Sequence, residues 1–114
     1  MNQLSIKDKT ITKHTSIRNT LKTLVIYDIS DDDKRTKLLG HLRDYGLRHI
    51  QYSGFIGEVN PHDRFVLTRE VEKFLSEEQD SIYILPLCDK CLKLTQIVSK
   101  TRRSLEDKSV EVVG

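Results

Sequence analysis

Residues 23–29, TLVIYDI, constrain the fold more than any other stretch of the chain. Apolar side chains stand at consecutive positions, the pattern of a central strand or of one covered on both faces. The run ends in SDDDK, a helix-start signal, with Ser30 and Asp33 spaced as in a capping box. Leu38, Leu42 and Tyr45 then recur at helical spacing and Gly46 supplies a stop. A first helix is expected over residues 32–45.

The segment 47–59, LRHIQYSGFIGEV, returns to strand-forming residues interrupted by Gly54 and Gly57. It predicts two short strands or one sharply bent one. Asn60-Pro61 reads as a cap followed by proline at the first helical position. Leu67, Val71, Phe74 and Leu75 continue at helical spacing, so a second helix is expected over 61–77. Asp80 and Ser81 end it, and SIYILPL is the next strand. Cys88-Asp89-Lys90-Cys91 is expected as a turn, Leu94 to Val98 as a further strand, and the terminal VEVV as another.

The order β-α-β(β)-α-β points to an α+β, ferredoxin-like β-α-β-β-α-β sandwich with an antiparallel sheet. Two helices would cover one sheet face. The other carries apolar residues and needs a cover, most simply a second copy of the chain, so a homodimer is expected. The C-terminal strand would pack on the partner and protect its sheet edge. A chain of 114 residues is one domain's worth of material.

The net charge of +2 hides an asymmetry. Residues 1–22 hold five basic residues against Asp8 alone, a balance of +4, while 23–114 hold 14 basic and 16 acidic residues, a balance of −2. We read residues 1–22 as a basic, flexible N-terminal extension, either solvated or touching phosphates, and 23–114 as the folded domain. The body is not generally basic, so any nucleic acid must bind it at a local patch. The start of the chain has no uninterrupted apolar stretch and no run is long enough to span a membrane. Two cysteines make no secreted disulfide framework. These features predict a cytoplasmic protein without membrane contact.

Asp28 stands inside an apolar strand, where burying a carboxylate is costly. Two readings are open. Asp28 ends the strand and accepts hydrogen bonds from the turn that follows, or it is a metal ligand or general base. One carboxylate holds a hard cation poorly, but a two-fold axis would bring two copies together. Asp31, Asp32 and Asp33 are expected as helix-cap and first-turn carboxylates. Arg35 and Lys37 are near enough in sequence to reach the same phosphate as Asp28, and Arg48, His49 and Gln51 could extend that patch. Tyr27, Tyr52 and Phe55 are read as core in preference to base-stacking platforms.

Cys88-x-x-Cys91 has no second pair and no spaced histidines, so one chain lacks the four ligands of a zinc site. Two buried thiols, a local disulfide, or a metal shared between two copies remain. His14, His41, His49 and His62 show no ligand spacing, and His41 is assigned to the surface of the first helix. There is no P-loop, dinucleotide fingerprint or nucleophile elbow.

One combination is specific: YDI before a Ser-Asp-Asp helix start, then YG, IQYS-x-F-x-G and DSI-x-I-x-PL. Across residues 23–99 it resembles the CRISPR-associated endoribonuclease family Cas-two. Gly54 stands where that family usually has an apolar residue. The resemblance implies a homodimer acting in CRISPR adaptation, the capture of spacers from invading DNA, as a bridge between copies of the integrase Cas-one. It also implies metal-dependent cleavage of single-stranded RNA or double-stranded DNA, with Mg²⁺ or Mn²⁺ held by paired Asp28 carboxylates. Asp28 matches the family's catalytic aspartate. Tyr27, Arg35 and Phe55 match positions beside it, Lys37 stands where relatives carry Arg, and His49 stands near a further family Arg. These five are the expected nucleic-acid-binding residues. Two other functions remain: a purely structural adaptor in the integrase complex, and a toxin-type RNA interferase on the same fold.

Overall fold

The computed structural model describes residues 20–105. Residues 1–19 of the expected N-terminal extension and the terminal VEVV lie outside the described residues. The elements follow in the order β1 (Leu21–Asp28), α1 (Asp32–Asp44), β2 (Arg48–Gln51), β3 (Gly54–Val59), α2 (Pro61–Glu70) with a 3₁₀ turn over Val71–Phe74, β4 (Ser81–Leu87) and α3 (Asp89–Leu94). The sheet order is β2-β3-β1-β4 and every pairing is antiparallel. This is the expected ferredoxin-like sandwich, with β1 central. No helix among the described residues is long and apolar enough to cross a membrane.

Burial alternates along β1. Thr23, Val25 and Tyr27 are buried beneath the helices, while Leu24, Ile26 and Asp28 project from the other face. The register Val25↔Phe55 and Val25↔Ile84 carries the covered face across the sheet. Leu38 and Leu42 from α1 and Leu67 from α2 close over it without exposed surface.

Local chemistry sets the element boundaries. Asp31, not Ser30, caps α1, its carboxylate accepting the Lys34 amide at 2.8 Å. The expected Ser30 capping box is thus displaced by one residue, because the Ser30 hydroxyl is committed to Asp80 at 2.7 Å. Gly46 adopts φ +86° and stops α1, as its sequence context predicted. Asn60 caps α2 through the Asp63 amide at 2.8 Å, with Pro61 at the first turn.

Helix α2 ends at Glu70, short of the expected 77. The path continues as the 3₁₀ turn to Phe74, and Asp80 ends it there. Its carboxylate accepts the amides of Ser76 and Glu77, each at 2.9 Å, and turns the chain away from the helix axis. It also accepts the Ser30 amide at 3.0 Å, tying the loop before β4 to the end of β1. The segment after β4 differs too. Cys88-Asp89-Lys90-Cys91 opens α3 where a turn was expected. The expected strand at Leu94–Val98 is absent. The Thr95 hydroxyl bonds the Cys91 carbonyl at 2.7 Å and closes the helix, and no described strand pairs with the β-branched residues beyond it.

His41 is not a free surface residue. It packs half-buried between Tyr45 and Phe74, with its Nε2 2.8 Å from Glu70 Oε1. The Tyr45 hydroxyl donates to the same oxygen at 2.9 Å. Burial, and then this bond to Glu70, push the Tyr45 phenol up to about 12.

Two predictions follow from these joints. A Cβ at Gly57 would stand 2.7 Å from the Gly46 carbonyl oxygen and 2.9 Å from Leu47 Cα, both backbone atoms. Gly57→Ala therefore destabilises the domain by about 1–3 kcal/mol, read as a lower denaturant midpoint at unchanged slope. Hydrogen bonds from the amides of Glu77 and Ser76 and from Ser30 hold the Asp80 carboxyl well below the ordinary carboxylate range. The unfolded chain binds that proton first as pH falls, so the contribution of Asp80 is complete above about pH 4 and is lost below it. The melting temperatures of wild type and Asp80→Ala should differ near neutral pH and converge in acid. A gap that persists undiminished would remove the carboxylate's charge from the account.

Candidate nucleic-acid interface

The end of β1 divides the expected site between two faces of the sheet. Asp28 lies opposite Ser81 on the face away from the helices. Its side chain is exposed, so the burial cost inferred from its apolar neighbours does not arise. It does end the strand. The following turn, however, takes its hydrogen bonds from Asp31 and Asp80. The Asp28 carboxylate makes no hydrogen bond or ion pair among the described residues. Leu24, Ile26, Tyr83 and Leu85 share its face, with Tyr83 61% and Ile26 44% exposed.

As hard oxygen donors, the Asp28 oxygens suit Mg²⁺ or Mn²⁺ in chemistry. They do not suit it in number. Among the described residues no group of three or more His, Cys, Asp or Glu side chains is placed to hold a metal ion. One chain therefore offers a single carboxylate at this position.

Tyr27 turns the other way, buried beneath the helices. Its hydroxyl donates to the Tyr52 carbonyl at 3.2 Å, and burial raises its phenol above the ordinary value. The same carbonyl meets His49 Nε2 at 3.1 Å. Two side chains thus pin one carbonyl of the β2–β3 turn. The Tyr52 side chain itself is 87% exposed, against its expected place in the core. Phe55 has no exposed surface and cannot touch a nucleic acid directly. It instead stacks under His49 with ring centroids 4.5 Å apart, and Arg43 lies 5.7 Å above its ring centre.

Arg35 donates to the Ile29 carbonyl at 2.8 Å and pairs with Asp32. Its charge acts on Tyr27, as does that of Arg43. Lys37 does not join them. It pairs with Asp33 at 3.3 Å and lines a shallow depression with Lys34, Lys73 and Phe74. Residues two apart on a helix face different ways, so sequence proximity to Arg35 misplaced it. The structure therefore gathers Tyr27, Arg35, His49 and Phe55, leaves Lys37 aside, and adds Arg43 and Tyr52. The only signal for Arg43 was its i, i+8 spacing from Arg35 along α1. Arg48 and Arg103 reach the carbonyls of Ser104 and Ile50, at 3.3 and 3.2 Å, and tether the C-terminal segment to β2.

Residues 21–95 match the family model described as CRISPR associated protein Cas2, the Cas-two family. A CRISPR-associated endoribonuclease Cas2 of Archaeoglobus fulgidus is 47% identical over 91 residues, covering 79% of this chain and 97% of that one. One from Korarchaeum cryptofilum is 40% identical over 74 residues, covering 65% and 80%. Among solved structures, hypothetical protein TT1823 from Thermus thermophilus superposes with a TM-score of 0.60 at 28% identity, covering 75% of this chain and 96% of that one. A crystal structure of cas2 gives 0.56 at 22% identity, covering 78% and 95%, a likeness of fold. With the family model matching residues 21–95 and a relative 47% identical over 79% of this chain, the chain belongs to the CRISPR-associated Cas2 family.

Proposed function

We propose that this chain acts as a homodimer in CRISPR spacer acquisition, as an adaptor that holds nucleic acid for the integrase Cas-one, and that its paired Asp28 carboxylates support metal-dependent hydrolysis of phosphodiester bonds in single-stranded RNA or double-stranded DNA. The observation that carries this reading is a carboxylate uncommitted among the described residues, at the rim of an apolar sheet face that the described residues leave uncovered. A second copy would remove Ile26, Tyr83 and Leu85 from water and supply the second carboxylate. Membership of the family supports the same reading.

Each residue then has a distinct task. Asp28 from each protomer holds Mg²⁺ or Mn²⁺. When bound, such an ion supplies Lewis-acid polarisation of a phosphate and acidification of water. Arg35 and Arg43 neutralise phosphate charge at the same end of the sheet, where the Tyr27 amide is 3.1 Å from the Ser53 carbonyl. Tyr27, His49 and Phe55 position the β2–β3 turn rather than touch substrate. Lys37 contributes only to the outer charge of α1. A non-catalytic adaptor is the second reading, favoured by the lone carboxylate per chain.

The deciding variant is Asp28→Asn. Metal-dependent cleavage should vanish, while the dimer in sedimentation and the affinity for DNA stay unchanged. Undiminished cleavage would take Asp28 out of the chemistry. Spacer capture that survives with cleavage abolished would leave the adaptor reading standing alone. Tyr83→Lys should shift the sedimenting species to monomer; a dimer that tolerates it is not formed through this face. Arg43→Ala should weaken binding across sequences alike and reduce the slope of log affinity against log salt by about 1.

A further inference from the structure

Cys88 and Cys91 take no part in the interface described above. Both are free thiols exposed to solvent, contrary to a reading of them as buried. Cys88 is the last residue before α3, and its sulfur accepts the Cys91 amide at 3.4 Å. Their i, i+3 spacing places the two side chains as neighbours across one helical turn. That pairing divides their chemistry. Hydrogen bonds from the backbone amide and then the thiol of Cys91 lower the Cys88 thiol below its ordinary value, while the bond to Cys88 raises Cys91. One sulfur is thus disposed to be thiolate, and its neighbour holds a proton to give up later.

We propose that Cys88 and Cys91 are a reversible thiol–disulfide exchange site at the root of the C-terminal segment, with Cys88 as the attacking sulfur, Cys91 as the resolving sulfur, and low-molecular-weight disulfides as the oxidant. The Cys88 thiolate attacks one sulfur of the oxidant RSSR, forming a mixed disulfide and releasing RS⁻. Cys91 yields its proton to solvent and attacks the Cys88 sulfur, expelling the second RS⁻. The dithiol is oxidised by two electrons to an intramolecular disulfide, and RSSR is reduced to two RSH. The bridge closes across the first turn of α3. Beyond that turn the chain runs to the Arg103–Ile50 and Arg48–Ser104 contacts on β2. Oxidation therefore acts where the C-terminal segment leaves the sheet.

Glutathione at defined ratios of oxidised to reduced form tests this on the full chain, read by intact mass and thiol alkylation. Wild type should lose two hydrogens reversibly, within one chain. Near neutral pH, Cys88 should be alkylated about tenfold faster than Cys91. Cys91→Ser should accumulate a glutathione adduct on Cys88, and Cys88→Ser should accumulate far less on Cys91. The proposal fails if wild type stays reduced in oxidised glutathione, if the bridge joins two chains, or if the variants take up glutathione equally. One zinc ion bound per two chains, blocking all four thiols, would replace it with a shared metal site.

Discussion

The alternation of side chains along β1 governs both the stability of this domain and its chemistry. Thr23, Val25 and Tyr27 anchor the covered face, and Leu24, Ile26 and Asp28 fall on the other. Strand geometry gives neighbouring residues opposite directions. Tyr27 and Asp28, adjacent in sequence, therefore act on opposite sides of the sheet. A one-residue slip would expose the core and bury the carboxylate, so the register is strongly specified. Pairing fixes it on both flanks, with Ile26 opposite Tyr83 on β4 and Gly54 on β3.

The fold was legible in the sequence because its strongest signals are local. The β-branched run of β1, Gly46 after α1 and Asn60-Pro61 before α2 act within a few residues of themselves. What escaped the reading depends on contacts distant in sequence. Ser30 is not the cap of α1 because its hydroxyl meets Asp80, fifty residues away. The same carboxylate ends the helical path after Phe74, although Leu75 still fits the periodic pattern. His41 looks like an exposed helical residue until Glu70 and Phe74 arrive from α2 and the turn that follows it. The β-branched residues at 97–98 had strand propensity but no described neighbour to pair with, and propensity without pairing makes no strand.

The candidate site was legible in part for the same reason. Asp28 is identified by its incongruity in an apolar run, whatever surrounds it. The aromatic residues carry no such mark. Tyr52 and Phe55 are three residues apart with similar composition around them, yet one is exposed at the turn and the other wholly buried in β3. Arg35 and Lys37 sit closer still and diverge because the helix turns them about 200° apart. Charge and residue type alone separate neither pair.

What the fold adds to these residues is rigidity at the tip of β1. Asp80 holds Ser30 just beyond Asp28 through both its amide and its hydroxyl. Tyr27 and His49 hold the Tyr52 carbonyl on the adjoining turn. Phe55 supports His49 from beneath, with Arg43 above the same ring. The exposed Asp28 carboxylate thus hangs from a braced frame, while it makes no hydrogen bond or ion pair of its own among the described residues. A carboxylate that made the bracing bonds itself would be unavailable for a ligand. Assigning that work to Asp80 and Tyr27 leaves Asp28 free at little conformational cost, which is the condition a preorganised charge site must meet.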